Sequence, residues 1–373
     1  MSIEEFSQRA RIAEPGEAIS AEELALAARN HGMPLEALRH DLTPFGLHYV
    51  LIHYDIPQID ASAWRLRVGG LVERDLEFDL PALQRLPRRT VRVTMECAGN
   101  GRALLEPRPV SQPWLVEAVG TAEWTGVPLA DLLEPAEVDP TAVEVVFTGA
   151  DHGFERGVEQ DYQRSLPLAD ALAEDVLVAY AMNGSPLPPQ HGFPVRLVVP
   201  GWYGMAHVKW LVGVEVVGEP FDGFQNAVAY RFRQVAGEPG TPVTRIAPRA
   251  LLVPPGSPDF MSRTRVVRPG RITLEGRAWS GQAPVARVQI SVDNGNTWAE
   301  ATLDPPADHP WAWRGWRFEW QASPGSFMLI PRAITADGDC QPLAGVWNRG
   351  GFGNNIAQRV PVRCLPRAES LNA

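Results

Sequence analysis

Lysine is almost missing from this chain. Of 34 basic side chains in 373 residues, 33 are arginine and one, Lys209, is lysine. A codon bias toward arginine explains the majority and makes the exception conspicuous, because a compact ammonium and a planar guanidinium do not substitute for each other at a fitted site. Cysteine is scarce as well. Three residues (Cys97, Cys340, Cys364) are too few and too scattered for a disulfide framework or a zinc site. That leaves Cys97 free to act as a reduced thiol. No apolar run approaches the ~20 residues that a membrane-spanning helix needs. The segment Met1 to Ser20 is polar and acidic, without a basic region followed by an apolar one, so the expectation is a cytoplasmic chain with no membrane contact. A basic surplus is lacking too. The net charge is −10, with 19 basic against 34 acidic residues over 1–240 and 15 against 10 over 241–373. An acidic front half excludes nucleic acid as the expected partner, and any anionic cofactor must be gripped by a few placed cations.

The 45% apolar and 21% charged shares are those of a globular protein, and the length accommodates two domains. Residues 1–35 read as a helical, acidic extension, with helical periodicity in Ala21–Arg29. A mixed α+β domain is expected over 36–235. Its strands include Trp64–Val68, Val143–Phe147, Val176–Tyr180, Val195–Val199 and Val208–Val217, and its short helices lie near Leu80–Leu86, Trp124–Leu133 and Ala169–Glu174. Glycine and proline over 236–245 mark a linker. Residues 246–366 alternate like the strands of an immunoglobulin-like sandwich, with a hairpin turn at Asn294-Gly295, and 367–373 form a tail. Seven of the twelve tryptophans fall beyond the linker and read as packing residues.

Chemistry concentrates in three places. The β-rich stretch Val91–Glu96 delivers Cys97 into Ala98-Gly99-Asn100-Gly101-Arg102, where small residues admit something bulky and Arg102 adds a cation. A nearby cation and backbone N–H groups favour a thiolate that binds metal or attacks substrate. The segment Met182-Asn183-Gly184-Ser185-Pro186-Leu187-Pro188-Pro189-Gln190-His191-Gly192-Phe193-Pro194-Val195-Arg196 presents His191 and Arg196. In Gly201-Trp202-Tyr203-Gly204-Met205-Ala206-His207-Val208-Lys209-Trp210, alternation puts His207 and Lys209 on one strand face. Four donors so close in sequence suit a phosphate or a polar heterocycle better than a metal.

These motifs resemble the sulfite oxidase family. Cys97-Ala98-Gly99-Asn100-Gly101-Arg102 is similar to its C-A-G-N-R-R signature, with Gly101 in place of the first arginine. The two later segments resemble its M-N-G-x-P-L-P-x-x-H-G-F-P-V-R and H-V-K-W, and Ala278–Gly281, Ser291–Trp298 and Trp311–Trp313 resemble its dimerisation domain. The resemblance covers roughly residues 40–365. It implies a molybdopterin-binding domain, a sandwich that forms a homodimer, and a molybdenum–molybdopterin cofactor with Cys97 as metal ligand. It also implies that His191, Arg196, His207, Val208 and Lys209 bind the pterin and its phosphate, joined by Asp151. The run Leu47–His53 is similar to a family strand L-F-F-V-R-N-H flanking the cofactor, which adds His48, Tyr49 and His53. Tyr230 corresponds to an active-site tyrosine, although the spacing after Gln225 is one residue longer. Arg102, with Arg231, would attract an oxyanion, and Tyr230 would hydrogen-bond the transferred oxygen. At two positions the chain departs from the family. Leu51 replaces an arginine and Ile52 an asparagine, which favours a neutral or thioether-like substrate.

The expected activity is therefore two-electron oxo transfer to or from a small sulfur compound such as sulfite, without haem, feeding a separate electron-transfer partner. The alternatives are an S-oxide or N-oxide reductase on the same fold, a cofactor-free binding module, and a hydrolase using Cys97 with His191 or His207.

Overall fold

A computed structural model describes residues 11–306 and 309–366. Two sheets build the front of the molecule. In the first, Leu66–Gly70 runs parallel to Leu211–Val217, while Leu76–Phe78, Glu144–Glu155 and Val158–Pro167 complete it in antiparallel pairs. Alternation buries Leu66 and Val68 and exposes Arg67 between them. The second sheet aligns Arg89–Glu96, Val119–Pro128 and Leu177–Met182, and the last of these also pairs with Arg196–Val198. Between the sheets lies an apolar core that includes Trp64, Phe147, Leu197 and Val214. The short helix Leu80–Arg85 begins where Asp79 accepts the Ala82 N–H at 2.7 Å, with Pro81 in its first turn.

Beyond residue 248 the chain is all β. Arg249–Leu252, Gly270–Trp279, Arg314–Ala322 and Thr302–Leu303 form one sheet; Arg265–Val267, Val360–Cys364, Gly325–Thr335 and Val285–Ser291 form the centre of the other. Trp316, Trp320, Leu274, Ile290 and Cys364 fill the space between them, as an immunoglobulin-like sandwich requires. Asn294 (φ 63°) and Gly295 (φ 89°) make the expected tight turn. The sandwich rests on the front of the molecule. Trp313 N–H donates to Thr94 Oγ1 at 2.7 Å, and the Trp311 indole donates to Asp175 at 2.8 Å.

Several local expectations are revised. Among the described residues of the N-terminal extension the α-helix is Ala21–Arg29, which starts at a Ser20/Glu23 capping box; Pro15 and Gly16 precede it in a turn. Residues 1–10 lie outside the described part, as do 367–373. The supposed helix from Trp124 begins at Leu129, since Trp124–Pro128 is still paired with Leu177–Met182. Within the stretch 236–245, expected as a linker, Thr241–Pro242 pairs with Arg231–Phe232 and Val243 is completely buried. Finally, His207 and Lys209 do not share a strand. A turn at Gly204–Ala206 and Trp210 at φ 49° delay that strand to Leu211.

Candidate active site

Cys97 directly follows the strand Arg89–Glu96 and is almost fully buried at the meeting point of two hollows. The inner one is lined by His48, Tyr49, His53, Asp151, His191, Arg196, His207, Lys209 and Tyr230. The outer one is a cleft of about 730 Å³ that shares Cys97, His53, Leu51 and Tyr230 with the first and adds Arg102, Trp114 and Phe352. Ten of the twelve residues expected from sequence thus line the inner cavity, and Arg102 lies in the adjoining cleft. The remaining one, Val208, belongs to the apolar core; its side chain turns away from both hollows.

The loop after Cys97 folds tightly. Gly101 takes a left-handed conformation (φ 91°), and a Cβ on Gly99 would sit 2.6 Å from the Arg102 guanidinium. Arg102 spends two of its five N–H groups on the carbonyls of Gly350 (2.9 Å) and Gln112 (3.1 Å), leaving three for a ligand. Its charge pulls the Cys97 thiol down, as do the backbone at Gly99 and the Trp114 indole. Burial is the larger effect, and the thiol ends above its ordinary value. The neighbouring cation acts in the expected direction, and desolvation, which the local sequence does not reveal, outweighs it.

Asp151 reaches the cavity through a bulge in Glu144–Glu155, where the register shifts between Thr148 and His152. Opposite, Lys209 Nζ donates to the carbonyls of Leu51 (2.9 Å) and Gln190 (3.3 Å) and lies 4.3 Å from the centre of the Trp210 ring. Burial drives Asp151 up and Lys209 down, and each charge offsets part of the other's shift. Arg196 ties the two loops together by donating to His191 O (3.0 Å) and His207 O (3.1 Å), while its Nε donates to Leu197 O (3.4 Å). His207 itself accepts the Val199 N–H and donates to Trp202 O, both at 3.1 Å. Both of its ring nitrogens are used by the backbone, so it shapes the loop and has none left for a ligand.

Tyr230 follows a π-helical turn at Gln225–Ala229. Such a turn absorbs one extra residue, which accounts for the longer spacing after Gln225. The Tyr230 hydroxyl lies 2.6 Å from His53 Nε2, and its ring packs at a tilt against Phe352. Arg231, by contrast, donates to the carbonyls of Gly240 and Asn226 and stays out of the cavity. Sequence reasoning missed Tyr162, Gln190 and Met205 in the cavity wall and the entire N-terminal wall of the cleft, where Asn30 donates to Gln112 (3.0 Å) and accepts the Ile52 N–H (2.8 Å). Asn30 and Gln112 carried no motif that could have found them.

Among the described residues, His48 Nε2, His191 Nε2 and Asp151 Oδ1 are buried without a partner. A polar heterocycle would satisfy such atoms, while Lys209 and the two N–H groups left on Arg196 offer cations to a phosphate. The residues fit a pterin with Cys97 at its metal end.

Comparison with known proteins agrees with this. Residues 53–225 match the oxidoreductase molybdopterin binding domain, and residues 250–364 match the Mo-co oxidoreductase dimerisation domain. Fold and site together define the class of proteins in which a molybdopterin-binding domain is followed by a Mo-co dimerisation domain. The chain is 35% identical to chicken sulfite oxidase over 328 residues, covering 83% of this chain and 70% of that protein. It is 34% identical to the mitochondrial sulfite oxidase of the rat over 343 residues, covering 87% of this chain. It belongs to the sulfite oxidase family. Its fold superimposes on the sulfane dehydrogenase SoxCD from Paracoccus pantotrophus with a TM-score of 0.79 and 26% identity, over 97% of this chain and 89% of that one. The chain spans 62% of the length of the rat protein. The cytoplasmic placement read from the polar N-terminus is corrected by this kinship, since the rat relative is mitochondrial by name.

Proposed function

We propose that this chain catalyses two-electron oxo transfer to or from a small sulfur compound, as a homodimer joined through residues 246–366 and exchanging electrons with a separate protein. The observation that carries the reading is the junction of the two hollows at Cys97, Tyr230 and His53. The bound molybdopterin would supply the redox chemistry, with the Cys97 sulfur as a soft ligand to its metal. His48, His191, Asp151, Arg196 and Lys209 would hold the pterin and its phosphate. Tyr230 would donate a hydrogen bond to an oxygen at the junction, its proton shared with His53. Arg102, held rigidly by two carbonyls, would stabilise negative charge on the substrate without reorganising.

The outer cleft adds a second element. Arg156 and Arg349 line it and add two cations to the approach to Arg102. We read them as the capture site for an anionic sulfur compound. The apolar Leu51 between the hollows keeps a second reading alive, a reductase for neutral S-oxides. Steady-state turnover of the molybdenum-loaded protein decides: sulfite or another sulfur anion with an artificial acceptor, against methyl sulfoxides with an artificial donor. Activity with the first pair is expected. Activity confined to the second installs the reductase, and loaded protein inert with both overturns the proposal.

A further inference from the structure

The residue before the thiol is a glutamate buried to 1% exposure. Strand alternation sends the Glu96 side chain to the opposite face from Cys97, toward the C-terminal sandwich. There it accepts three hydrogen bonds: from Asn100 Nδ2 (3.0 Å), Arg249 Nε (2.8 Å) and Trp279 Nε1 (2.7 Å). Two of the three donors come from the sandwich. Arg249, also buried to 1%, reaches on to the Asn354 carbonyl at 2.5 Å. Asn354 Nδ2 donates to Gly101 O at 2.7 Å, and Gly353 N–H donates to Ala98 O at 2.8 Å. Arg102 closes the ring by donating to Gly350 O at 2.9 Å, with the Phe352 ring 5.2 Å from its guanidinium carbon. The fit leaves no slack, since a Cβ at Gly101 would lie 2.5 Å from Asn354 O.

We propose that the sandwich is a working part of the active site, in which Arg249 and Trp279, acting through Glu96, and the segment 348–354 set the positions of the Cys97 sulfur and the Arg102 guanidinium. They are positioning residues. The proposal rests on the reading of Cys97 and Arg102 given above. These bonds fall on Glu96, Ala98, Gly101 and Arg102, the residues that bracket the sulfur and carry the cation. A displacement of ~1 Å in such a constellation costs ~100-fold in rate. The module whose family label is dimerisation would thus act within a single chain as well.

Four variants test it, each in the full chain with Cys340→Ser, which removes the exposed thiol and leaves Cys364 buried. They are Trp279→Phe, Arg249→Met, Glu96→Gln and the double Glu96→Gln/Arg249→Met; Trp279→Phe deletes one donor and keeps a ring, so it folds where the charge variants fail. In cofactor-free protein the alkylation rate of Cys97 with iodoacetamide is measured. In loaded protein the molybdenum–sulfur distances come from X-ray absorption, beside kcat and KM. Expected are a several-fold change in alkylation rate and a fall in kcat of ~10- to 100-fold at little-changed KM. Folded variants with unaltered alkylation rate, metal–sulfur distances and kcat overturn the proposal, even if their melting temperature falls. Should the X-ray absorption be indifferent to Cys97→Ser, the ligand reading fails instead, and the alkylation arm still decides whether the sandwich positions the loop.

Discussion

Leu51 stands half-buried where the inner cavity opens into the cleft, beside Cys97 and Tyr230. Replacing it with arginine introduces a third kind of grip on an anion next to Arg102 and the cleft arginines. A charge-assisted hydrogen bond contributes ~1.5–3 kcal/mol, and the lost packing of a partly buried leucine costs ~1 kcal/mol. The new cation also repels Arg102 in the empty site, a cost relieved when a doubly charged anion binds between them. The balance of ~0.5–2 kcal/mol corresponds to a KM for sulfite lower by ~2- to 30-fold in Leu51→Arg. A neutral sulfoxide gains nothing from the new charge and loses apolar contact, so its KM is expected to stay or rise. Both constants are obtained by steady-state assays with an artificial acceptor and donor respectively. An unchanged KM for sulfite in folded, molybdenum-loaded Leu51→Arg refutes the assignment of this junction as the anion site.

Cys97→Ser is expected to reduce turnover to background while circular dichroism stays native; substantial residual activity contradicts the ligand role. Arg156→Gln combined with Arg349→Gln should raise KM for sulfur anions ~10-fold, leave kcat alone and flatten the dependence on ionic strength, and a fall in kcat at constant KM would place these residues in the chemistry instead. Burial depresses four cavity imidazoles, His48 to about 4, His53 and His207 to about 3 and His191 to about 2. Below the ordinary value near 6.5 the unfolded chain therefore binds more protons than the folded one, so stability is complete above ~6.5 and is lost on acidification toward those values. Asp151, raised by burial, works the other way but is one group against four. The melting temperature of cofactor-free protein should drop steadily from pH 7 to 4.5, and a flat profile would mean that the imidazoles are hydrated.

The motifs around Cys97, His191 and Lys209 were legible because close backbone approach and fixed charge demand particular residues at fixed spacing. Tyr230 lines the cavity at the end of a π-helical turn, a feature its local sequence did not announce. What stayed hidden depended on burial and on long-range partners. Nothing in the string around His207 says that both ring nitrogens are committed to Val199 and Trp202. The elevated Cys97 thiol is likewise a property of the assembled cavity, since its local sequence argues the reverse. The glycine- and proline-rich stretch 236–245 looked like a tether because composition alone does not reveal that Val243 enters the core. The N-terminal wall of the cleft was illegible for a similar reason: Asn30 works through Gln112 and Ile52, remote in sequence and ordinary in type.

The solitary lysine has a practical corollary. Apart from the α-amino group, the only primary amine in the chain lies in the cavity wall, bonded to Leu51 and Gln190. Amine-directed reagents therefore become a footprint of occupancy: a small acylating probe would modify Lys209 in empty protein and be shut out once the pterin phosphate is seated.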